Sequence, residues 1–121
     1  GQVIFHLADE TLGINKNNQR NGAAPNYVHS LDACHAMETA RSMSIVTYDL
    51  GLVHDSYSCH AKHAPFMSYV IRKEFIRMHK QPLLEQLHAT IEKQLDCKLA
   101  APPIVGDLNV SLVSGARYFF A

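Results

Sequence analysis

The chain has 121 residues, 47% of them hydrophobic, and its 11 basic residues balance its 11 acidic ones. That length suits one domain burying about two thirds of the surface its unfolded chain exposes, and the even charge balance argues against a strong electrostatic pull towards nucleic acid or a membrane surface. Cys34, Cys59 and Cys97 are widely spaced and odd in number, which fits a reducing compartment better than a disulfide framework, and no run approaches the ~20 apolar residues that span a bilayer.

The N-terminus has no signal-peptide layout; it starts Gly1-Gln2-Val3-Ile4-Phe5, as though in mid-strand, and reads as a piece of a longer or split protein. A short strand is expected over residues 2–8. Residues 13–26 are rich in Asn and Gly, and five of the six from Asn15 to Arg20 are Asn, Lys or Gln, which reads as a mobile loop. From Ser30 the pattern turns helical. Ala33, Ala36, Met37 and Ala40 recur at three-and-four spacing with Ser30 or Asp32 as cap, predicting a helix over about 32–44.

Residues 48–53 read as a strand and 56–60 as its hairpin partner, with His54 and Asp55 in the turn and Gly51 where a backbone approaches closely. Pro65 opens a helix to about Lys80, with Phe66, Tyr69, Val70, Phe75, Ile76 and Met78 on its apolar face. Arg72, Lys73, Arg77 and Lys80 fall on the wet or partner side. Pro82 starts another helix over 83–96, striped by Leu84, Leu87, Ile91 and Leu95. Past Ala101-Pro102-Pro103, Asp107 can cap a last short helix from Leu108 to about Val113, and the tail Tyr118-Phe119-Phe120-Ala121 is costly to expose unless it docks. The fold class this predicts is α+β, a small antiparallel hairpin packed against several helices.

The residues with chemistry to offer centre on Leu52-Val53-His54-Asp55-Ser56-Tyr57, a carboxylate at a break between an apolar run and a polar one. Nucleotidyl transfer uses two divalent ions about 4 Å apart, held through oxygen ligands that suit magnesium. Asp55 at a hairpin tip meets half of that demand. On spacing alone, an Asp in a turn is a turn former and His54 a buried histidine satisfied by a carbonyl. His54, Asp55, Cys59, His60 and His63 cluster in sequence, but neighbours such as Cys59 and His60 at a strand end point to opposite faces, which argues against zinc. The basic row with Arg72 and Lys73 suits nucleic-acid phosphates, and it equally suits solvent. Asp32 and His35 read as a helix cap and a first-turn residue.

Three runs in order carry a resemblance: Tyr27-Val28-His29-Ser30-Leu31-Asp32-Ala33-Cys34-His35, then His54-Asp55-Ser56-Tyr57-Ser58-Cys59-His60-Ala61, then Gly106-Asp107-Leu108-Asn109-Val110 with the Tyr-Phe-Phe-Ala ending. Together they resemble the C-terminal palm region of the single-subunit DNA-directed RNA polymerases of mitochondria, chloroplasts and T7-like phages, from about Gly13 to Ala121. The His54-Asp55 run is similar to that family's motif C, and Ser56 stands where family A DNA polymerases usually carry Glu. The resemblance implies that Asp55 binds Mg2+ in a two-metal site, that His54 orients the turn or lies near the primer end, and that His29, with Tyr27 beside it, contacts nucleic acid. It implies a strand and loop over 1–30, palm helices and the hairpin over 31–100, and a terminal foot over 101–121.

The expected partners are DNA template, RNA product, ribonucleoside triphosphates, the remaining polymerase polypeptide and accessory transcription factors, with no membrane. The expected location is the mitochondrion or another organelle, the alternative being the cytoplasm of a phage-infected bacterium. The family's second metal-binding Asp and its nucleotide-binding fingers helix lie upstream of the resembling region, so the isolated chain is expected to be inactive. Competing readings are a piece of a family A-like DNA polymerase and a non-catalytic remnant that binds nucleic acid or protein.

Overall fold

The computed structural model describes residues 13–53 and 55–119. The strand expected over 2–8, the His54 position and the last two residues lie outside the described residues. The described elements are α1 (Lys16–Met43), β1 (Leu50–Val53), β2 (Ser56–Cys59), α2 (Ala64–His79) and α3 (Leu83–Leu95), with 3-10 turns at Ala61–His63 and Val110–Gly115. The fold is α+β, as the sequence predicts. Two compact units divide it, residues 1–31 and residues 32–121.

In the first unit the loop expected over 13–26 is instead the beginning of α1. Asn15 caps it, its Oδ1 accepting from the amides of Asn17 and Asn18 at 3.1 Å each, and the Lys, Gln, Arg and Ala that follow are good helix formers. Pro25 sits inside the helix. It has no N–H for the carbonyl of Asn21, but the stretch is exposed, so water can take that bond. Ser30 caps nothing; its hydroxyl donates back to the Tyr27 carbonyl at 2.7 Å.

In the second unit the buried face of α1 is His35, Thr39 and Met43, a row spaced by four. The alanine-centred face expected from spacing is different, with Ala33 exposed and Met37 64% exposed. Alanines remove little area from water, and the polar partners of His35 make its burial tolerable. Val70, Ile71 and Glu74 are the buried residues of α2, whereas Phe66 and Tyr69 of the expected apolar face are exposed. The buried hydrophobic residues among those described are Met43, Val70 and Ile71.

α1 and α2 are joined by charge. Ser42 Oγ donates to Glu74 Oε1 at 2.8 Å, Arg77 Nε donates to Glu74 Oε2 at 2.5 Å, and Arg77 Nη2 reaches Glu38 Oε2 at 2.6 Å. Arg77, expected on the wet or partner side, has a 45% exposed side chain and ties the two helices.

The hairpin pairs Leu50 with Cys59 and Val53 with Ser56, which leaves a two-residue turn at 54–55. A Cβ on Gly51 would collide with Ser58 Oγ, which donates to the Gly51 carbonyl at 3.4 Å, so what comes close at Gly51 is a side chain and not the backbone expected there. Tyr48 stays outside the strand and is 88% exposed.

Pro82 stands at the N-cap of α3, and Asp96 ends the helix in the left-handed region at φ 48°. The last element is a 3-10 turn rather than an α-helix. Asn109, not Asp107, caps it, accepting from Ser111 N at 3.1 Å, and the turn packs on α2.

Candidate active site

Asp55 occupies the hairpin turn, where the register of β1 and β2 leaves no strand partner to tie it down. It is exposed, and no hydrogen bond or ion pair from the described residues engages its carboxylate. A cavity of about 270 Å³ opens beside it, bounded by Ser56, Tyr57, Met67, Ser68, Ile71 and Arg72.

An unengaged carboxylate on a short, registered turn fits a hard, oxygen-liganded cation such as magnesium. Among the described residues no three His, Cys, Asp or Glu side chains come together in a way that could hold a metal. Asp55 therefore fits as one ligand, with the rest of a coordination shell to be supplied by other groups.

Arg72, on α2, lines this cavity and also a larger one of about 510 Å³ against the C-terminal 3-10 turn. Its guanidinium is already used. It donates to the Ser68 carbonyl at 3.0 Å and to the Ser68 hydroxyl, reaches the Ala116 carbonyl at 3.3 Å, and lies 5.8 Å from the centre of the Phe119 ring. Lys73 is exposed on the wall of the larger cavity, its Nζ 5.9 Å from the Tyr69 ring centre. Tyr27 and His29 lie in the other unit, on α1, half-buried and exposed respectively.

Sequence reasoning reads His35 as a first-turn residue and Tyr57 only as part of the motif run, and takes neither as a site residue. His35 is 2% exposed in mid-helix, not in a first turn. Its Nε2 is 2.9 Å from the Ile71 carbonyl and its Nδ1 is 3.3 Å from the Tyr57 hydroxyl. Burial pushes the Tyr57 phenol above its ordinary value; the carboxylates of Asp32 and Asp55 add to that, and the Thr39 hydroxyl works against it. The row of four-residue spacing through His35, Thr39 and Met43 is the signal that could have found the node.

The tail docks in part. The Phe119 ring meets Phe75 edge-on at 4.9 Å, and Phe75 stacks on His79 at 3.9 Å, while Tyr118 is 75% exposed.

Residues 2–101 match the family described as DNA-dependent RNA polymerase. The chain is 31% identical to the mitochondrial DNA-directed RNA polymerase 1 of Arabidopsis thaliana, over 97% of this chain and 12% of that protein. It is 34% identical to the mitochondrial DNA-directed RNA polymerase of Homo sapiens, over 96% of this chain and 10% of that one. It is 33% identical to the DNA-directed RNA polymerase 1A of Nicotiana tabacum, over 97% of this chain and 76% of that one. The chain thus spans about a tenth of the length of the Arabidopsis and human relatives. No solved structure matches it.

Proposed function

The chain belongs to the single-subunit DNA-directed RNA polymerase family, and we propose that within such an enzyme it contributes Asp55 to the magnesium site of templated RNA synthesis from ribonucleoside triphosphates. The observation that carries this reading is the exposed, unengaged carboxylate at a two-residue hairpin turn beside a cavity. When bound, magnesium activates the attacking 3′ hydroxyl and stabilises charge on the phosphorus. The protein's task is to hold one carboxylate still for it, with His54 orienting the turn.

In this reading residues 31–100 are palm helices and hairpin, and residues 101–121 are a terminal foot. Tyr27 and His29 contact DNA template and RNA product, and Lys73 with the outer edge of Arg72 follows phosphates. The remaining polymerase polypeptide supplies the second carboxylate and the nucleotide-binding helix, so the isolated chain is inactive. Accessory transcription factors act on the assembled enzyme. The relatives named mitochondrial or chloroplastic support placement in an organelle.

The test is Asp55→Asn in the intact polymerase that carries this chain. Run-off elongation is expected to be lost at every magnesium concentration while template binding stays at the wild-type level. Elongation retained by the variant would sink the assignment.

A further inference from the structure

Among the described residues near the tip of the hairpin that carries Asp55, Tyr57 is the anchor. Leu52, Val53, Asp55 and Ser56 are all exposed, and Tyr57 is the half-buried exception. Its hydroxyl ends at His35. The Ile71 carbonyl can only accept, so His35 Nε2, 2.9 Å away, carries the proton; in the neutral ring Nδ1 then presents a lone pair to which the Tyr57 hydroxyl, 3.3 Å away, donates. Rings brace the imidazole edge-on from two sides, with Tyr57 at 6.0 Å and Phe75 at 5.7 Å. One buried imidazole thus ties α1, the backbone of α2 and strand β2 together.

We infer that His35 and Tyr57 are positioning residues, the Tyr57 hydroxyl docked on His35 holding β2 against the helices and so fixing the Asp55 carboxylate two residues away. A carboxylate on an unanchored tip samples many positions, and each must be given up when a cation is bound. The anchor therefore acts on the magnesium requirement. This rests on the reading of Asp55 as a metal ligand.

Two measurements test it, using Tyr57→Phe, which keeps the ring and removes the hydroxyl. In the metal-free chain, amide exchange across β1 and β2 is expected to quicken about three- to tenfold, the range that one lost hydrogen bond allows, with α3 unchanged. In the intact polymerase, the magnesium concentration for half-maximal elongation is expected to rise by a similar factor, about three- to tenfold, with the rate at saturating magnesium close to wild type. His35→Gln, which keeps one donor and one acceptor, is expected to shift the requirement less than His35→Leu. An unchanged magnesium requirement in Tyr57→Phe overturns the inference, whatever the exchange rates, since the anchor would then serve stability alone. Asp55→Asn separates the two claims: if that variant is dead while Tyr57→Phe keeps the wild-type requirement, only the anchor fails, whereas elongation by Asp55→Asn removes the metal assignment itself and the inference with it.

Discussion

Glu74 is 4% exposed and carries a charge into the seam between α1 and α2. Burial opposes its ionisation, but the bonds from Arg77 and Ser42 outweigh that, and the carboxyl titrates below the ordinary glutamate range. With the folded value below the unfolded one, the chain takes up protons on unfolding at acid pH. The contribution is then complete above about pH 4.3 and is lost as pH falls through the folded value. Glu74→Gln is expected to flatten the acid limb of stability, read from urea midpoints between pH 3 and 7, and to cost about 1–3 kcal/mol near neutrality. An acid limb as steep as that of the wild type would show that some other group sets it. Arg77 holds Glu38 as well, so removing Glu74 leaves that cation with a partner.

At the scale of elements, the ends of the helices decide their reach. Asn15→Ala removes the side-chain oxygen that both Asn17 and Asn18 use, and the first turns of α1 are expected to fray, for a loss of about 1 kcal/mol seen as reduced helicity by circular dichroism. Helicity equal to wild type would mean that the start of α1 is set elsewhere. α3 ends on Asp96 at φ 48°, a conformation costing an L-residue roughly 1 kcal/mol. Asp96→Gly is expected to stabilise α3 by a few tenths of a kcal/mol up to about 1, raising the thermal midpoint, and a fall in the midpoint would contradict this account. These ends were hard to read because their signals are single residues. Asn15 sat in a stretch whose composition resembles a loop, and Ser30 and Asp32 offered equally good caps where the helix was already under way.

Across the described residues the balance of burial leaves few apolar side chains inside. Met43, Val70 and Ile71 are the buried hydrophobic side chains among those described, while Ile104 is fully exposed and Leu108, Leu112 and Tyr118 are each more than 60% exposed. A surface of this kind suits contact with further protein, in keeping with a chain that spans a tenth of its longer relatives. The isolated chain is accordingly expected to melt over a broad range and to bind a hydrophobic dye in its native state. A sharp melt with no dye bound would show that the chain hides more apolar surface than its exposure implies.

The sequence by itself determined the class of fold, the hairpin with Asp55 in its turn, the helices that open at Pro65 and after Pro82, and the family. These are readable because alternation, proline and a motif in order act locally or survive as residue identities. Only the tertiary structure decided which faces are buried. His35 and Glu74 look polar in one dimension, and each is buried because a partner from a distant segment arrives: Tyr57 and the Ile71 carbonyl for His35, and Ser42 for Glu74, which Arg77 on its own helix also binds. A polar side chain can leave water only where its hydrogen bonds are remade, and where they are remade depends on which strands and helices meet.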